Sequence, residues 1–133
     1  MQLWCTILQC LYLEVSCSNL LFNEGINNIG YDGAYRNDFH EFNFVTRTWG
    51  LVHSSGEIPR ARYRGTCVVS DDNMILHGGH DGGQHLQDTH IFDFNTSTWS
   101  ILLCDGPVPA PRDSHIAVMH KKSMYIYGGS TGL

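Results

Sequence analysis

Four histidines, His77, His80, His85 and His90, fall within fourteen positions of a 133-residue chain that holds eight in all. Neutral imidazole is a common metal ligand, and it is also the side chain that titrates nearest neutral pH. A metal centre needs convergence, however, and no cysteine or carboxylate completes a ligand spacing around these four. The five cysteines, Cys5, Cys10, Cys17, Cys67 and Cys104, are odd in number and form no C-x-x-C pair. Neither a zinc site nor a disulfide framework is expected, and reduced thiols are the simpler reading. No G-x-S-x-G, H-E-x-x-H, Walker loop or D-x-D-x-D-G calcium loop occurs. Asn95-Thr96-Ser97 is a formal glycosylation sequon that matters only in a secreted chain. The expectation is a protein without catalytic residues, cofactor or metal.

Charge narrows the choice of partner. The net charge is −5 and the pI about 5.8, so no basic field exists to displace counterions from nucleic acid. Arg60, Arg62 and Arg64 form the one basic cluster, read as a local solvated feature around a turn. No apolar run reaches the ~20 residues that a bilayer span requires. The opening MQLWCTILQCLYLEVSCSNLLFNEG is apolar, but it lacks a basic n-region and is interrupted by Gln2, Gln9 and Glu14. The cytoplasm is therefore expected, with the nucleus as the alternative and secretion not favoured.

The elements that must position these residues come twice. TRTWGLVHSSGEIPRAR, from Thr46 to Arg62, returns fifty residues later as TSTWSILLCDGPVPAPR, from Thr96 to Arg112. Shifting residues 38–82 onto 88–132 gives fifteen identities in forty-five positions, against about three by chance. They include Asp38/Asp88, His40/His90, Phe42/Phe92, Trp49/Trp99, Gly56/Gly106, Pro59/Pro109 and Arg62/Arg112. Within the unit the apolar period is two, as in Phe42 and Phe44 around Asn43, which describes half-buried strands. Short runs at 66–69, 74–76, 116–119 and 124–127 are joined by polar turn residues and read as hairpins. The strands of one unit are predicted near 64–70, 73–77, 89–94 and 98–103. His77 is matched in the repeat by Tyr127, and His90 by His40, so the four histidines are expected to point into different environments.

Four antiparallel strands every fifty residues, with a glycine doublet closing the second, describe one blade of a β-propeller. MILHGG (74–79), MYIYGG (124–129), HIFDF (90–94), the following Thr98-Trp99 and the P-x-x-R before the next first strand resemble the kelch repeat. In style they are closest to the kelch arrays of leucine-zipper-like regulators and host-cell-factor-like proteins. The resemblance implies an all-β fold, a partial kelch propeller of about two blade-equivalents. Residues 1–29 stand apart as a divergent segment, and 30–133 carry a half blade at 30–53, a full blade at 62–103 and a half blade at 112–129. Ile29 sits where the first glycine of a doublet would fall. Residues 1–28 are an alternative exon or faulty gene model, a divergent hairpin that still fills the strand slots, or a cleaved leader.

In this frame Gly78, Gly79, Gly128 and Gly129 let backbones approach closely, and Trp49 and Trp99 wedge between blades. Function is left to the loops. Those joining strands two and three span 31–37 and 80–87, and the blade-to-blade connections span 53–62 and 104–112. The family resemblance places such loops on one rim, where a protein docks, and puts Arg62 and Arg112 at its mouth. Those two arginines have equal claims as structural staples. Tyr31, Tyr35, Arg36, His80 and His85 supply the aromatic and polar tips of recognition surfaces. The resemblance thus implies a protein-binding module, such as the substrate-recognition part of a ubiquitin-ligase adaptor or a scaffold. The alternatives are a kelch-type metal-dependent enzyme and a truncated, non-functional product. About two blades leave sheet faces uncovered, so further blades or self-association are required.

Overall fold

The protein is described by a computed structural model covering residues 19–22 and 36–132. Ten strands occur among the described residues: β1 (Asn19–Phe22), β2 (His40–Asn43), β3 (Thr48–Leu51), β4 (Ser55–Gly56), β5 (Thr66–Ser70), β6 (Asn73–His80), β7 (His85–Asp93), β8 (Thr98–Ile101), β9 (Ile116–His120) and β10 (Ser123–Tyr127). They form sheets ordered β1-β2-β3, β4-β8-β7-β6-β5 and β10-β9. The described residues contain no helix, and none long and apolar enough to cross a membrane. This is the all-β architecture expected of a partial propeller.

Turn chemistry explains why the strands recur. The Asp93 carboxylate accepts the amides of Asn95 and Thr96, and the Asn43 side-chain oxygen accepts those of Val45 and Thr46. Each turn then closes through a left-handed residue, Arg47 at φ 58° and Ser97 at φ 53°. Asp71 and Lys121, at φ 51° and 54°, turn the first hairpins of the second and third blades. Short polar side chains at strand ends hydrogen-bond the backbone and stop the ladder, so both copies turn alike.

The central sheet is the complete blade. β5 pairs with β6, β6 with β7 and β7 with β8, all antiparallel. On its outer edge β4, from the incoming connection, pairs parallel with β8 through Ser55↔Thr98 and Gly56↔Trp99. The expected strand ends shift in one informative place. β6 does not stop at His77 but continues through Gly78-Gly79 to His80, with a register shift between His77 and Gly79. At φ 66° and 103°, those glycines occupy conformations that side chains rarely adopt. A Cβ on them would press into the carbonyls of Arg112 and Tyr63. The bulge thereby brings the Gly79 amide onto the Arg112 carbonyl at 2.9 Å, which fastens the second blade to the third. His85, expected in a loop, consequently lies on β7.

The core lies between the first and second blades. Met74, Leu76, Phe92 and Trp99 line one face of the central sheet, and Phe39 inserts against them edge-on to Phe92 at 4.9 Å. The tryptophan pair divides here. Trp99 is 3% exposed and fills the wedge, whereas Trp49 is 57% exposed. Within the segment set apart by its sequence, Asn19–Phe22 pairs with β2 as β6 pairs with β7, taking the second-strand slot of the first blade.

Candidate protein-binding rim

Antiparallel pairing places the 81–84 loop and both blade-to-blade connections at one end of the strands, opposite the 71–72 and 94–97 turns. Tyr63 and His80 exchange backbone hydrogen bonds of 2.9 and 3.0 Å, and Asp113 and Ser130 make the corresponding bridge one blade later. The first residues after each connection are thus stitched to the end of the second strand, and the rim is a continuous surface.

Arg62 is a staple. Its guanidinium donates to both oxygens of Asp88 at 2.7 Å and to the Gly78 carbonyl at 3.0 Å, while Nε donates to Arg60 O at 3.2 Å. Planar geometry makes a bidentate pair of this kind strong. Asp88 also meets His90 Nε2 at 2.9 Å, and the other ring nitrogen of His90 reaches Glu57 O. Burial pushes the Asp88 carboxyl up, but the hydrogen bonds and charges of Arg62 and His90 outweigh it and hold the group well below the usual carboxylate range. Arg112 repeats half of this, donating to Ala110 O and Gly128 O. At 3% exposure Arg62 presents no surface to a partner, which corrects its placement among the rim residues and among the solvated arginines.

What the rim does expose gathers around His80. Its Nδ1 accepts the Gly82 amide at 2.9 Å, and its ring lies 4.8 Å from His85 and 5.2 Å from Tyr63. Arg64 covers Tyr63 at 5.4 Å and approaches Asp113 at 3.6 Å, and His85 Nε2 lies 3.7 Å from the same carboxylate. Arg60 reaches Asp81 at 3.2 Å. The Asp81 carboxyl also accepts the Gly83 and Gln84 amides, which lower its pKa below the ordinary value. The loop is therefore rigidly folded on its own aspartate.

The structure brings the rings of His80 and His85 together, against the expectation that the four histidines face different environments, and adds Arg60, Tyr63, Arg64 and, buried beneath them, Asp113. These additions are invisible to the fifty-residue comparison, because the copies differ there: Tyr63 corresponds to Asp113, and Arg64 to Ser114. Arg36 lines a cleft with Asn37, Ile58, Pro59, Arg60 and Arg62, on the far side of Arg60 from Asp81. Tyr31 and Tyr35 lie outside the described residues. Among the described residues no group of three or more histidines, cysteines or acids is placed to hold a metal ion. His77 and His90 face opposite seams of the blade, with His77 hydrogen-bonded to Thr89 and His90 to Asp88. Burial pushes the Cys67 thiol up to about 12, which leaves it inert as a nucleophile.

The geometry is that of repeated blades joined at a loop-built rim, and comparison with known families agrees. The KLHDC2/KLHL20/DRC7 Kelch-repeats domain matches residues 18–133. The chain belongs to the kelch-repeat family. No curated protein matches it. Membership supports a generic protein-interaction module, and kelch-repeat domains are generally non-enzymatic.

Proposed function

We propose that this kelch-repeat chain recognises a protein partner through the rim between its second and third blades, centred on Tyr63, His80 and His85. The observation that carries the reading is the packed ridge itself. The His80 ring, 4.8 Å from His85 and 5.2 Å from Tyr63, is flanked by two arginines whose side chains are 59% and 54% exposed. Aromatic rings and arginines on a rigid base lose little entropy on binding, and they are the side chains that dominate protein interfaces. Because the partly exposed Asp81 and the buried Asp113 offset the two arginines, the ridge favours a partner surface of mixed charge over a polyanion. In the cell the module serves as the substrate-recognition part of a ubiquitin-ligase adaptor or as a scaffold. We place it in the cytoplasm, in keeping with the free thiols of Cys67 and Cys104.

The test is proximity cross-linking in cells with three forms of the chain. One is unaltered, one carries Tyr63→Ala, His80→Ala and His85→Ala, and one carries Lys121→Ala and Lys122→Ala at the opposite end. Partners retained by the lysine variant and lost by the rim variant, at matched thermal stability, support the proposal. Partners retained by the rim variant and lost by the lysine variant overturn it.

A further inference from the structure

The rim ridge is built of rings and hydrogen-bond donors, and its side-chain acceptors are already engaged. His80 Nδ1 accepts the Gly82 amide at 2.9 Å, so the neutral ring carries its proton on Nε2. That donor meets no acceptor among the described residues. Asp81 Oδ1 accepts the Gly83 and Gln84 amides at 2.9 Å, and Oδ2 accepts from Arg60 at 3.2 Å. The Asp113 carboxylate is 6% exposed, with Arg64 at 3.6 Å and His85 Nε2 at 3.7 Å. Gly132 covers the opposite edge of the His85 ring, where an added Cβ would come within 2.8 Å of Cε1 and 3.1 Å of Nδ1. Donors remain. Arg60 commits one N–H to Asp81, and the Arg64 guanidinium makes no hydrogen bond among the described residues.

The rings stand in a row with His80 in the middle, at 43° to Tyr63 and 83° to His85. All three are half-buried, so each keeps part of its surface in solvent. Their base is fixed by the backbone exchange between Tyr63 and His80 and by the loop folded on Asp81. Rigid aromatic rings beside donors are the lining on which proline-rich segments dock.

A surface that donates and does not accept suits a segment that accepts and does not donate. Proline has no backbone N–H, and in polyproline II the carbonyls are unbonded within the chain and open to partners. An ordinary segment laid on the ridge would leave its own amides without acceptors, at a cost that proline avoids. Its fixed φ also reduces the entropy lost on binding to so small a surface. Charge agrees, because Asp81 and Asp113 offset Arg60 and Arg64 and leave no net field for an acidic or basic run.

We propose, on the footing that the rim is the partner site, that it takes a proline-rich segment in the polyproline II form. The pyrrolidine rings pack on Tyr63, His80 and His85, and the carbonyls accept from His80 Nε2, Arg60 and Arg64. Charged residues of the partner fall to the flanks of this segment.

Fluorescence anisotropy on the purified full chain tests this with three labelled decapeptides, each amidated at its C-terminus: decaproline, alternating Gly-Ser and decaglutamate. Decaproline should bind about tenfold or more tightly than the Gly-Ser peptide, and raising salt to about 0.5 M should leave its affinity unchanged. Arg60→Met with Arg64→Met replaces two exposed side chains and should weaken decaproline about fivefold or more, as should Tyr63→Ala. Lys121→Ala with Lys122→Ala, at the opposite end, should not. Decaglutamate binding more tightly than decaproline overturns the proposal in favour of an acidic segment. Decaproline binding no better than Gly-Ser also overturns it. In that case cellular partners still lost by the rim variant leave the rim as the partner site, whereas loss of none removes both.

Discussion

Arg62 and Asp88 meet through two parallel hydrogen bonds of 2.7 Å, a guanidinium 3% exposed against a carboxylate on the third strand of the blade. This pair joins the entry of the blade to its middle, and the Gly78 carbonyl completes the guanidinium's shell. Truncating Arg62 leaves the Gly78 carbonyl without its guanidinium donor and Asp88 with His90 alone. Arg62→Ala should therefore cost about 3 kcal/mol, at the lower end for a buried pair because Asp88 is partly wetted. Asp88→Asn, which keeps one acceptor, should cost less. Urea unfolding followed by tryptophan fluorescence measures both, and equal losses would show that the acceptor kept by Asp88→Asn contributes nothing without the charge.

The fifty-residue duplication made the blade legible, because turns, glycine doublets and period-two strands are local signals that repeat. Asp88 and His90 also stand out, since Asp38 and His40 copy them. Arg62 was legible as a staple or a rim residue with equal claims, and its pairing with Asp88 was not, because that partner lies twenty-six residues away on a strand whose facing the sequence does not set. The rim was half legible. His80 and His85 sit beside recognisable glycines, while Tyr63, Arg64 and Asp113 converge only through the bridge from Tyr63 to His80 and the docking of the next blade. The different fates of Trp49 and Trp99 were hidden for another reason. Identical residues in a repeat differ by what covers them, which depends on the neighbouring blade and not on the unit.

Acid should loosen the seam between the second and third blades. His77 and His115 face each other there at 5.5 Å, with His77 Nε2 and His115 Nδ1 lacking hydrogen-bond partners among the described residues. Burial, then the neighbouring charges of His77 and Arg112, pushes His115 down to about 4, against the opposing pull of Asp113, and burial lowers His77. A histidine with a depressed folded pKa takes up its proton more readily when unfolded. The stability is thus fully present above the ordinary value of 6.5 and is lost as pH falls from there toward about 4. Thermal melts between those limits should show a falling midpoint, flattened by His115→Asn. A midpoint that is level until the carboxylates titrate would contradict this account.

Gly56 and Gly106 share one conformation, at φ 82° and 81°, in different surroundings. Gly56 lies in β4 against β8, where an added Cβ would drive into the Trp99 carbonyl, whereas Gly106 has nothing within 4 Å. Both alanine variants should lose about 1 kcal/mol to the left-handed backbone, and Gly56→Ala should lose more through the clash. Denaturant midpoints for the two variants measure the difference. Equal midpoints would mean that β4 leaves β8 at no cost, and that the connection does not brace the blade.

Trp99 and Trp49 offer the sharpest comparison, since the repeat makes them the same residue and the fold does not. Trp99 is sealed among Phe39, Phe92 and the aliphatic core, with ring centroids at 5.8 and 5.0 Å. Removing it opens a cavity between two blades that cannot collapse without shifting both. Trp99→Ala should cost about 3–5 kcal/mol. Trp49 keeps its contact with Phe42 at 5.1 Å but is 57% exposed, so Trp49→Ala gives up far less apolar burial and should cost about 1 kcal/mol. Thermal unfolding of dilute samples reads this intrinsic difference. Equal penalties for the two tryptophans would contradict this account of the wedge.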